Sequence, residues 1–245
     1  MNHYLKRRIS YFLKARHSKG HGIHSPFLFR LITQVIENKG HFSAYPLLKS
    51  ASENMQNMLD ILDFESFRQL KCSEYDLRNF HRLSPKFDRL LFRLVNDFTP
   101  SSIAFYGSTF GVTLLALALA DRRKSVVAQM NNDHFRSFCR RLADVYEVGN
   151  IEITETGIVA AADFVVIQNP LDPENCGQIL SAVLGRKDFQ GTVVVCGIHY
   201  SSDMEAVWAS HKSKSAVRVT LDLLEIGIFI CREGLQKEEF VLRFC

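Results

Sequence analysis

The sequence predicts an α/β chain in which a mostly parallel, doubly wound sheet follows a helical region. Three observations carry this. After residue 100, short β-rich runs alternate with helical stretches, the pattern of repeated strand-helix units. The runs are near-continuously apolar, as in DFVVIQ and TVVVCGI, which marks strands covered on both faces. The last two long runs, VRVTLDL and GIFICR, follow each other too closely for a crossover and read as an antiparallel hairpin.

The elements follow in order. Helical spacing predicts helices over about 3–17, 26–38, 47–62 and 84–98. Ser84-Pro85 is a helix start, with Ser as cap and Pro at the first helical position. Thr99-Pro100 closes that helix, because the residue before a proline is pushed out of the helical region. Strands are expected at 102–106, 125–130, 151–154, 163–168, 192–198, 217–223 and 227–232, giving a seven-stranded sheet, with FVLRF (240–244) as a further edge strand. Helices near 110–121, 133–147, 174–185 and 202–211 connect them by right-handed crossovers. No internal repeat or low-complexity tract appears. The expected organisation is a helical extension (1–95) and an α/β domain (96–245).

Composition narrows the class. The chain has 245 residues, 47% apolar and 23% charged, ordinary for a globular protein with a sizeable core. No apolar run reaches the roughly 18 residues of a membrane span. The basic N-terminus lacks the apolar core of a secretory signal. Six scattered cysteines without a C-x-x-C spacing argue against zinc or a disulfide framework, and a cytoplasmic location is expected.

The net charge of +4 hides an asymmetry: residues 1–36 hold Lys6, Arg7, Arg8, Lys14, Arg16, Lys19 and Arg30 and no acid, so the remainder is acidic on balance. Such an arm is suited to nucleic acid or an anionic surface, with residues 1–20 as the contact. The simpler reading is a docked helix with a solvated basic face. Leu5, Ile9, Phe12 and Leu13 lie near helical spacing and predict the face by which that helix docks.

SIAFYGSTFG (102–111) is the stretch that raises a functional question. An apolar strand runs into a glycine turn that opens an apolar helix, a place where nucleotide-like cofactors are gripped. Gly107 and Gly111 allow close backbone approach to a ligand, and Ser108 and Thr109 offer hydroxyls and amides. The same glycines equally specify a tight turn with no ligand. His21 and His24 are either metal ligands or polar contacts of a capped turn; with no acid or cysteine near them, no metal is expected. His199, at the end of the fifth strand, is a weak catalytic candidate as general base. Cys196 beside it is either a reactive thiol or a small hydrophobe. Asp203, Glu205 and Trp208 are expected on a helix face packed under the cleft.

HGIHSPF (21–27), SPKFDRLLFRLV (84–95), YGSTFG (106–111), IHYSSDMEAVW (198–208), VTLDLLEIGIF (219–229) and the terminal FVLRF together resemble a group of bacterial class I S-adenosylmethionine (SAM)-dependent O-methyltransferases with an N-terminal helical extension. The resemblance implies a Rossmann-like methyltransferase fold. It also implies a cofactor cleft at Gly107, Ser108, Thr109, Gly111, Met130, Asn131 and Gln168. Against the pattern of that family, the acid two residues before the first glycine is replaced by Phe105. The ribose-binding acid is replaced by Met130, followed by Asn131 and Asn132. The Asp ending the fourth strand is replaced by Gln168, a second weak catalytic candidate, followed by Asn169-Pro170. The Asp-Asp pair before Ile-His is replaced by Cys196-Gly197. A glycine-rich stretch near residue 64 is replaced by DFESF (63–67).

Three functions are therefore in view. The first is a non-catalytic methyltransferase-like module with weak or absent SAM binding and a protein or small-molecule partner. The second is an active O-methyltransferase on a small-molecule acceptor. The third is a module that binds RNA or a membrane surface through its basic arm.

Overall fold

The computed structural model describes residues 3–15, 23–61, 85–155, 161–168 and 172–244. Its strands form an eight-stranded sheet in the order β3-β2-β1-β4-β5-β7-β6-β8. These are β1 (Ile103–Gly107), β2 (Val126–Gln129), β3 (Ile151–Thr154), β4 (Phe164–Gln168), β5 (Thr192–Cys196), β6 (Val219–Asp222), β7 (Ile226–Ile230) and β8 (Glu238–Val241). The helices are α1 (His3–Lys14), α2 (Pro26–Arg30), α3 (Tyr45–Ile61), α4 (Pro85–Phe98), α5 (Val112–Ala120), α6 (Asp133–Val145), α7 (Pro173–Leu184) and α8 (Ser202–Lys212). The expected edge strand forms, two residues earlier than its apolar pattern, and pairs in parallel with β6.

The chain divides into two compact units, Lys39–Gly157 and Met1–Asn38 with Ile158–Cys245. The boundary expected at residue 95 falls inside the first of these.

In Lys39–Gly157, β1, β2 and β3 pair in parallel in sequential register. Every residue of β1 before Gly107 is buried, as is most of α5, so the VTLLALALA helix is apolar all round and enclosed. Helix α3 packs on α4 and α5. Pro85 begins α4 as expected; Ser84, its expected cap, lies outside the described residues. The helix ends where Thr99 adopts φ +46° before Pro100. Asn132 caps α6, its side-chain oxygen accepting from the amides of His134 and Phe135.

In the other unit β4 and β5 are parallel, β5 and β7 antiparallel, and β7 and β6 antiparallel. The expected hairpin is thus present, with its second strand inserted next to β5. The helix expected at 26–38 starts on Ser25, whose hydroxyl accepts from Leu28 N. After Arg30 it widens into a π-helical turn over Leu31–Ile36, with Glu37 N donating to Ile32 O. Leu31, Ile32, Val35 and Ile36 are all buried as a result. Helix α1 docks through the side chain of Tyr11, whose hydroxyl donates to Leu242 O, and through an edge-on contact of Tyr4 with Tyr200. The expectation that Leu5, Ile9, Phe12 and Leu13 form the docking face is corrected: all four are exposed. Amphipathic spacing shows which residues share a face, and here the tyrosines beside that face make the contact.

Candidate functional site

In Lys39–Gly157, β1 delivers the chain to the glycine turn. Gly107 takes φ +119° and Gly111 φ +91°, conformations that L side chains rarely adopt. A Cβ on Gly111 would lie 2.7 Å from Leu142 Cδ2, so α6 closes against the turn here. Thr109 is buried; its Oγ1 accepts from Gly111 N (3.2 Å), and its carbonyl accepts from Cys139 Sγ (3.2 Å). Phe105, two residues before Gly107, is fully buried. Phe110 packs edge-on against Phe135 and Phe138. It also lines a groove of about 510 Å³ with Met55, Phe135, Leu142 and Tyr146.

The end of β2 carries the most informative arrangement. Met130 is fully buried, and its carbonyl accepts a 2.6 Å hydrogen bond from Arg136 Nη1. Arg136 is itself buried, and its other terminal nitrogen pairs with Asp133 and lies 3.5 Å from Glu155. Asn131 beside it is exposed. Arg136 was not singled out in the sequence. It lies in α6 six residues beyond Met130, and only the turn between them brings the guanidinium back to the strand.

In the other unit, Gln168 ends β4, buried, with no hydrogen-bond partner for Oε1 among the described residues. Cys196 ends β5 and is buried; Gly197 follows with φ +73°, and its amide donates to Glu225 O. Cys196-Gly197 thus lead into a tight turn that presents His199. Glu205 does not pack under a cleft with Trp208. Ser201 caps α8, placing Glu205 one turn into the helix, where its Oε1 lies 2.8 Å from His199 Nδ1. Asp222 Oδ2, from the end of β6, lies 2.8 Å from His199 Nε2. Glu205 also takes Arg7 of α1 at 2.5 Å, with His3 Nε2 at 3.4 Å. Trp208 is buried on the sheet, and Asp203 is exposed.

Two acceptors on opposite sides of one imidazole require both ring nitrogens to donate, which only the protonated ring can do. Burial disfavours that charge, but the hydrogen bonds and charges of Asp222 and Glu205 outweigh it and raise the pKa of His199. A raised folded pKa contributes stability below the unfolded value of about 6.5, lost as pH rises through the folded one. Glu205→Gln is expected to lower the His199 midpoint in a histidine NMR titration, because one charged acceptor is removed. An unchanged midpoint would contradict this geometry. A protonated ring with both nitrogens engaged has no lone pair for general-base work. Among the described residues no group of three or more His, Cys, Asp or Glu side chains is placed to hold a metal ion. His21 lies outside the described residues, as do Asn169, Pro170 and 63–67.

No family model and no curated protein matches the sequence. Solved structures do match. A methyltransferase of Podospora anserina bound to S-adenosylhomocysteine (SAH) aligns with 86% of this chain and 97% of its own, at 10% identity and TM-score 0.58. The O-methyltransferase TomG of Streptomyces achromogenes, in complex with SAM, aligns over 79% and 91%, at 15% identity and TM-score 0.54. This chain has the class I methyltransferase fold. An O-methyltransferase of Bacillus cereus in complex with SAH aligns over 75% and 99%, at 13% identity and TM-score 0.51.

Two positions at which the family resemblance expects an acid carry apolar side chains here. A ribose diol needs acceptors. The end of β2 offers a buried methionine whose carbonyl is already taken by a guanidinium. The end of β1 offers a buried phenylalanine. Each ribose donor left unpaired costs about 1–3 kcal/mol.

Proposed function

We propose that this chain is a methyltransferase-like module with weak or absent SAM binding, acting on a protein or small-molecule partner without methyl transfer. The observation that carries the reading is the end of β2, where a buried methionine stands at the position at which the resemblance expects a ribose-holding acid and its carbonyl is taken by Arg136. Phe105 in place of the second acid supports it, and so does His199, engaged at both nitrogens. Two unpaired donors at about 1–3 kcal/mol each amount to roughly thirtyfold or more in affinity at about 1.4 kcal/mol per tenfold. Direct titration with SAM tests it: no micromolar binding is expected.

A second reading is an active SAM-dependent O-methyltransferase on a small-molecule acceptor. One observation favours it: Gln168 Oε1 is a buried acceptor without a donor among the described residues, at the strand end where the family resemblance places the cofactor. A micromolar dissociation constant that Gln168→Leu weakens would favour this reading over the first.

A further inference from the structure

The surface of α1 is the feature that neither reading uses. Its inner side is fixed by Tyr11 on Leu242, Tyr4 on Tyr200 and Arg7 on Glu205. Its outer side is apolar: Leu5, Ile9, Phe12 and Leu13 are 46%, 51%, 43% and 84% exposed. They occupy positions i, i+4, i+7 and i+8, one continuous stripe. Cations border it. The Arg8 guanidinium lies 6.0 Å from the Phe12 ring centroid, and Arg243 lies 5.3 Å from it. No acidic residue occurs between positions 1 and 36.

An apolar stripe turned to solvent, edged by arginines with apolar stems, is the arrangement of a helix lying in a bilayer interface. The stripe enters the acyl boundary, and the guanidiniums meet headgroup phosphates. The geometry points to an anionic lipid surface as the occupant of this face. A second copy of the chain would set two acid-free basic segments against each other. RNA would meet hydrocarbon first, with the cations at the edge. Among the described residues no helix is long and apolar enough to cross a membrane, so the contact is in-plane.

The full chain is tested by co-sedimentation with vesicles of phosphatidylcholine alone and of phosphatidylcholine with phosphatidylglycerol. Binding is expected only to the anionic vesicles and is expected to weaken with salt. Arg8→Gln should lower the partition coefficient about fivefold, the effect of about 1 kcal/mol per surface charge. Ile9→Ser with Leu13→Ser should lower it more than tenfold, and because both residues are exposed the thermal melt should not move. Three results would overturn the inference: no partition to anionic vesicles, a concentration-dependent dimer that the double variant dissociates, or RNA binding that Arg8→Gln abolishes in a protein that ignores vesicles.

Discussion

Trp208→Ala is expected to destabilise the protein by about 3–5 kcal/mol, a large share of the roughly 5–15 kcal/mol that holds a domain folded. Trp208 is buried, and its ring stacks on Phe229 with centroids 4.1 Å apart and planes 20° apart. Gly227 makes room for it: a Cβ there would lie 2.4 Å from Trp208 Cη2. The indole therefore fills a slot on β7, the strand between β5 and β6. Alanine leaves a cavity that the rigid sheet cannot collapse into. The denaturant midpoint measures the loss, and a loss under about 1 kcal/mol would mean that the slot closes by itself.

The second large effect is expected at Asp88, in the first turn of α4, and its size depends on pH. Asp88 is buried, and its Oδ1 accepts from Thr113 Oγ1 at 2.9 Å. Burial disfavours the carboxylate and pushes its pKa up to about 7, against the opposing pull of that hydrogen bond. A folded pKa above the unfolded one means that the folded state holds the proton more tightly. The stability this confers is present below the unfolded pKa near 4 and is lost as pH rises through about 7. A shift of roughly three pKa units corresponds to about 4 kcal/mol. Asp88→Asn keeps an acceptor for Thr113 and cannot ionise. Its stability relative to the parent is expected to grow by about 3 kcal/mol between about pH 4.5 and about pH 8.5. A difference that stays flat across that range would show that Asp88 does not titrate there.

The strands and connecting helices were legible because their signals are local. Apolar runs mark buried strands, helical spacing marks helices, and proline and caps mark their ends. Trp208 as a packed helix residue was legible for the same reason. What escaped depends on direction or on distant partners. Spacing grouped Leu5, Ile9, Phe12 and Leu13 but did not say that the face looks outward. His199 was read without neighbouring carboxylates because Cys196-Gly197 precede it; its two carboxylates come from the next helix and from β6. Arg136 reached Met130 through the turn that opens α6. Asp88 left a trace: it is an acid on a helix face with Leu91, Phe92 and Val95, at i+3, i+4 and i+7.

The proposed loss of cofactor grip rests above all on the end of β2, where a buried Met130 has its carbonyl tied to a buried guanidinium. Calorimetric titration of the full chain with SAM and with SAH tests it most directly. No saturable heat is expected at micromolar ligand, and a dissociation constant of millimolar or weaker for either. Micromolar binding of both would contradict it, and would mean that the glycine turn still holds a cofactor through its backbone amides.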